Sequence, residues 1–308
     1  MPRTFGLSDA SIAKLLLLAL SFCWGLSWSA MRIALDEVSP WGMRLIGFSI
    51  GAATLLVLIK AQGRSLVIPR GRDRLHVIVA AFFIVVAFGV AGTFAQLMAN
   101  TSRVIIVNYS MPVWSSVMAY FVLGERINRQ AAIGLALCIA GLVVLVYPVA
   151  EQSVREPVGL LLALVCALGW GGGTVYMKWA RIKGDLLAIS FWQVVVGVVI
   201  FGIAYLVFNG LPHYEPLHWR TWGGLLFNGV LGTGIAYFIW FNIIGRLTTV
   251  MASLGSLINP VVGVFGAMIL LGDRPTLSDA IGFALIFGAA ACVMIPSRQK
   301  PPAEGDSV

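Results

Sequence analysis

The chain reads as an all-α polytopic membrane protein, ten transmembrane helices built as two inverted five-helix repeats. Three observations predict this. Hydrophobic residues fill 59% of the 308 positions and charged residues only 11%, against roughly 45–50% and 25% in ordinary soluble domains. Apolar runs recur ten times, each near the ~20 residues needed to cross ~30 Å of hydrocarbon. The landmarks of the first half also return in the second. So apolar a composition excludes a DNA-binding domain, and in such a chain the net charge of +8 first reports orientation.

The runs lie between charged or Pro-bearing breaks. The first, 12–33, follows Arg3 and Lys14 and is too long for the h-region of a signal peptide. The second, 41–59, contains Gly47 and Gly51, a spacing that lets helices approach closely in lipid. The third, 75–97, follows the longest break, Lys60 to Arg74, which is Arg-rich and too short for a soluble domain. The fourth, 103–122, carries Asn108, Tyr109 and Ser110 ahead of Pro112. The fifth is 130–149. The sixth, 157–177, has Gly169 and the run Gly171-Gly172-Gly173; the seventh is 186–208. The eighth, 219–243, bears Tyr237 and Trp240. The ninth, 249–271, carries Ser256 and Asn259 ahead of Pro260, and the tenth is 278–295.

Charge orients the bundle. Of the 21 Lys and Arg, fifteen fall on the side of the amino terminus and six (Arg32, Arg44, Arg103, Arg155, Arg220 and Arg274) on the other. Basic residues favour the cytoplasm, so both termini are expected there. The acidic residues split almost evenly and do not enter that rule.

The duplication is explicit. Trp24-Gly25 and Met31-Arg32 recur as Trp170-Gly171 and Met177-Lys178, an offset of 146. Leu123-Gly124-Glu125-Arg126 recurs as Leu271-Gly272-Asp273-Arg274, an offset of 148, at which Pro112 matches Pro260, Gly134 matches Gly282 and Pro148 matches Pro296. Five spans is an odd number, so the second copy must enter the membrane upside down. The units expected are 1–150 and 151–308. Inverted repeats are a recurrent plan of secondary transporters, which hold substrate near mid-membrane where the repeats meet.

Two five-span halves, a Trp-Gly in the first span of each, and a Pro in spans four and nine followed by Gly-Glu-Arg or Gly-Asp-Arg resemble the EamA-type transporters of the drug/metabolite transporter superfamily. The resemblance covers residues 12–296. Within that superfamily the chain is most similar to the YddG-type exporters of aromatic amino acids. What this implies is a bacterial inner-membrane carrier with a central cavity between the repeats, exporting hydrophobic or aromatic amino acids by alternating access. A carrier of other small metabolites or drugs is the alternative.

Candidate substrate-binding residues follow from depth and chemistry. Trp24, Trp28, Trp170 and Tyr176 lie inside spans rather than in the headgroup belts where aromatics collect. Their flat faces suit an apolar or aromatic cargo, and a buried Trp N–H needs a partner. Tyr237, Trp240 and Gln96 are further wall candidates. Asn108, Tyr109, Ser256 and Asn259 precede the mid-span prolines, where freed carbonyls and short polar side chains are tolerated only facing protein or a wet cavity. They could hold a zwitterion or merely bond neighbouring helices. Pro112 and Pro260 should kink their spans. Gly171, Gly172 and Gly173 mark either a hinge or a point where a neighbouring helix presses close. Glu125 and Asp273 suit terminal salt bridges, and Arg103 and His76 lie near span ends, within reach of headgroups.

No Asp or Glu occupies the middle of any span, which removes the usual carboxylate of a proton/cation exchanger. Cys23, Cys138, Cys166 and Cys292 form no metal or redox spacing and are expected as small hydrophobes. With three histidines, no HExxH and no GxSxG, an intramembrane enzyme is disfavoured. No cofactor and no metal are expected. The expected partners are the lipid bilayer and a small-molecule substrate, with no nucleic acid, and one chain already supplies both orientations, so a monomer suffices.

Overall fold

A computed structural model describes residues 9–69, 71–150, 154–211, 216–243 and 257–294. Regular structure among them is entirely helical. The helices are α1 (Asp9–Ala34), α2 (Pro40–Ala61), α3 (Arg72–Met98), α4 (Thr101–Leu123), α5 (Arg129–Ala150), α6 (Arg155–Ala180), α7 (Leu186–Asn209), α8 (Trp219–Asn242), α9 (Ile258–Leu271) and α10 (Leu277–Met294). Nine are long and apolar enough to cross a membrane; α9 is shorter because the first part of the expected ninth span lies outside the described residues.

Local signals set the ends. Ser39 caps α2 by accepting the Gly42 N–H, with Pro40 in the first turn. Asp185, 146 residues on, caps α7 by accepting from Leu187 and Ala188. Gly124 and Gly272 end α4 and α9 with φ of 69° and 74°, a left-handed conformation that costs a residue with a Cβ about 1–2 kcal/mol. That turn is why Leu-Gly appears twice. Two breaks inside spans are less orthodox. α4 is interrupted at Tyr109-Ser110, so that Pro112 opens a separate helix, Met111–Leu123. Both α3 and α8 widen to π-helix in mid-span, over Phe82–Ala87 and Phe227–Ile235. The wide turns stand at equivalent places in the two repeats, and such insertions are common at functional sites.

Packing follows the duplication. α1 lies against α8 and α9, as α6 lies against α3 and α4; α2 packs on α7 and α8, and α5 on α10. These main contacts thus come in inverted pairs or map onto themselves. Between lipid-facing helices the hydrophobic effect is weak, and close van der Waals contact has to hold them. Glycines supply it: a Cβ on Gly51 would sit 3.3 Å from the Gly229 carbonyl, and one on Gly141 would sit 3.2 Å from that of Gly282.

Candidate functional site

The repeated Trp-Gly pair has a mechanical explanation. A Cβ on Gly25 would lie 2.8 Å from the Asn259 carbonyl oxygen; one on Gly171 would lie 3.3 Å from that of Met111 and 2.8 Å from Ser115 Oγ. Met111 and Asn259 are themselves repeat equivalents. Each glycine therefore lets the first helix of one repeat cross against the proline-bearing helix of the other. The crossing presents the preceding Trp, in the same register of two 26-residue helices, at the seam between repeats.

There the rings meet. Trp24 lies 6.5 Å from Trp170, 6.5 Å from Tyr237 and 5.7 Å from Trp240, centroid to centroid. Trp170 is 6.4 Å from Tyr237 and 5.2 Å from Phe88, and Phe88 is 6.0 Å from Trp28. These separations fall in the 4.5–7 Å range of favourable aromatic pairs. Most of the pairing is crossed: Trp24 of the first half meets Trp170 of α6 and two rings of α8, and Trp170 of the second half meets Trp24 and the Phe88 ring of α3. Phe88 and Tyr237 stand just past the two π-helical turns. Trp24, Trp170, Tyr237 and Trp240 each keep accessible surface at mid-span, whereas Trp28 is buried. Five of the expected wall residues are thus brought together, and Phe88 joins them.

Other expected residues lie elsewhere. Tyr176 faces a separate cluster with Phe83, Trp179 and His76, whose Nδ1 is 2.6 Å from its hydroxyl. Gln96 accepts from Thr101 at the α3–α4 corner, 2.6 Å away. Asn108 lies at the break ahead of Pro112 and Asn259 in the first turn of α9 beside Pro260; both are buried, and each has a side-chain carbonyl oxygen without a partner. Tyr109, Pro112 and Pro260 line one small apolar pocket with Ile106, Leu257 and Phe283. Ser256 lies outside the described residues. Through Gly171, Gly172 and Gly173 the α6 helix is regular. Gly171 and Gly173 are pressed by α4 and α3, while a Cβ on Gly172 would meet only the flexible end of Met118.

Two basic residues depart from expectation. Arg103 does not reach for headgroups. Its Nε and Nη2 hold Asp279 at 2.5 and 3.1 Å, its Nη1 holds Glu156 at 2.8 Å, and its side chain is only 14% exposed. Asp279 also closes a capping box with Thr276 at the start of α10. Arg44, counted among the basic residues on the side away from the termini, is buried too, one turn into α2. Asp273 does not pair with Arg274; it accepts from the Ser102 N–H and hydroxyl at the start of α4, while Glu125 pairs with Lys178 of α6. At the α1–α2 loop Glu37 accepts from Thr221 Oγ1, the His218 N–H and the His218 ring, and these donors hold its carboxyl below the usual range. The free cysteines Cys23, Cys138 and Cys166 are buried in the packing.

An inverted pair of five-helix units meeting at an aromatic seam is an architecture recurrent among membrane transporters. The EamA-like transporter model matches twice, over residues 11–147 and 157–295. The chain belongs to that family, and it is a transporter rather than an enzyme. It is 25% identical to the uncharacterized transporter YoaV of Bacillus subtilis, over 88% of this chain and 92% of that one. It is 23% identical to a probable amino-acid metabolite efflux pump of Escherichia coli, over 85% and 88%. A crystal structure aligns with a TM-score of 0.62 at 23% identity, covering 92% of this chain and 96% of the other.

Proposed function

We propose that this carrier exports hydrophobic, chiefly aromatic, amino acids from the cytoplasm, alternating access around the Trp24–Trp170–Tyr237–Trp240 cluster. The observation that carries the reading is the cluster itself: four aromatic rings from both repeats, with accessible faces at the middle of the spans. A flat aromatic cargo gains offset or edge-to-face contacts with these rings. The unpartnered carbonyl oxygens of Asn108 and Asn259 are the acceptors we assign to the cargo's ammonium group, since a buried acceptor left unpaired costs ~1–3 kcal/mol. The efflux-pump name of the Escherichia coli relative agrees with amino acids as cargo, and likeness to the YddG-type exporters narrows them to aromatic ones.

On this reading the units 1–150 and 151–308 rock about the seam of a single chain in a bacterial inner membrane, both termini in the cytoplasm. The unpaired Gly172, backed by only a flexible methionine, is where α6 would bend. Counterflow of labelled Phe and Trp into amino-acid-loaded proteoliposomes tests the cargo. Saturable uptake that unlabelled Phe abolishes is expected. A folded protein giving none rules the amino acids out and leaves export of another small metabolite.

A further inference from the structure

We propose that Arg44 is the carboxylate-binding group of the transport site, a deepening of the amino-acid reading on which it rests. Arg44 is 5% exposed, and no carboxylate lies within ion-pair distance of it among the described residues. Its Nε donates to the Gly89 carbonyl at 3.0 Å and to the Thr93 hydroxyl, and its Cζ lies 5.5 Å above the Phe48 ring. These contacts tether the head without neutralising it. Nη2 is buried and has no partner at all.

That free donor lies beside the edge of Trp28, on the flank of the aromatic cluster. The position a Cβ would take on Gly92 is 3.4 Å from Arg44 Nη2, 3.6 Å from Trp28 Cζ3 and 3.2 Å from Cys166 Sγ. Trp28 then leads through Phe88 to Trp170. The missing side chain of Gly92 lets the guanidinium, the Trp28 ring edge and the Cys166 thiol close in on one point.

A buried ion without its counter-ion is among the costliest groups a fold can carry. A merely structural brace between α2 and α3 needs only the Nε bonds, which a neutral donor would make without that cost. An unpaired guanidinium is the group that matches a carboxylate in charge and two-pronged geometry. The cargo's acid group would complete the pair, with its side chain carried among the rings. Aromatic acids qualify; the corresponding amides and amines do not.

The test compares ligands on the wild-type protein, so that no variant has to fold. Isothermal titration with indole-3-acetate and with indole-3-acetamide, identical in ring and nearly so in size, reads the acid group alone. The acid is expected to bind roughly 10- to 100-fold tighter (about 1.4–2.8 kcal/mol at 1.4 kcal/mol per decade). Arg44→Gln should erase the difference, and Arg44→Lys, which keeps the charge and loses the fork, should restore part of it. Equal affinities, binding of neither, or an undiminished preference in a folded Arg44→Gln protein overturns the proposal. Failed phenylalanine counterflow beside a clear acid preference would instead sink the amino-acid reading and leave this site standing.

Discussion

Truncating Trp24 separates a cargo wall from a packing residue. Trp24 touches three rings at 5.7 to 6.5 Å, and aromatic pairs contribute about 0.5–1.5 kcal/mol each beyond area burial. A cargo ring wedged beside Trp24 would lose one such pair in Trp24→Ala, about 0.5–1.5 kcal/mol, which is roughly 2- to 12-fold in apparent affinity. Stability should fall less than the ~3–5 kcal/mol of a fully buried Trp→Ala, because the ring keeps accessible surface and lipid is no worse a solvent for apolar atoms than protein. The assay is Phe counterflow over a concentration series, set beside the melting temperature of the same protein in detergent. Trp170→Ala should behave alike, and Trp24→Phe should recover most of the affinity. Loss of transport that only tracks the loss of folded protein would refute the cargo-wall assignment.

Arg103→Ala should destabilise by about 3–5 kcal/mol because it strands the buried Asp279 carboxylate, and Arg103→Ala/Asp279→Ala should recover part of this in thermal melts; strict additivity would refute the pairing. Gly172→Leu should fold, since only Met118 must move, yet arrest counterflow; wild-type turnover would remove the hinge. The lowered pKa of Glu37 means its contacts stabilise the protein above the ordinary carboxylate range and stop doing so as pH falls through the depressed value. Melting curves should therefore lose stability on the acid side, less steeply in Thr221→Val, and parallel pH profiles would deny Glu37 that role.

Depth was legible in the sequence and direction was not. The spans, their duplication and the mid-span level of Trp24, Trp170, Tyr237 and Trp240 follow from runs, offsets and position alone. A residue's depth says nothing about which way round the helix its side chain points. Gln96 and Tyr176 lie in spans three and six as expected, yet face a helix corner and a separate cluster. Arg44 and Arg103 sit near helix starts, where an arginine ordinarily reaches water; only the packed structure turns them inward. Pro112 announced a kink, but the full break at Tyr109-Ser110 depends on hydrogen bonds within that turn. The π-helical turns in α3 and α8 have no compositional mark, since they differ from α-helix only in which carbonyl each N–H finds.

A frame built on a two-fold axis offers any guest two interchangeable poses, head up or head down. The caps Ser39 and Asp185 show where that interchange fails: counted from them, Arg44 of α2 corresponds to Ser190 of α7, buried and uncharged. Phe88 likewise corresponds, by the same count, to Gly234, which has no ring to offer. If Arg44 receives the acid group as proposed, a guest with one acidic end has a single way to lie across the seam.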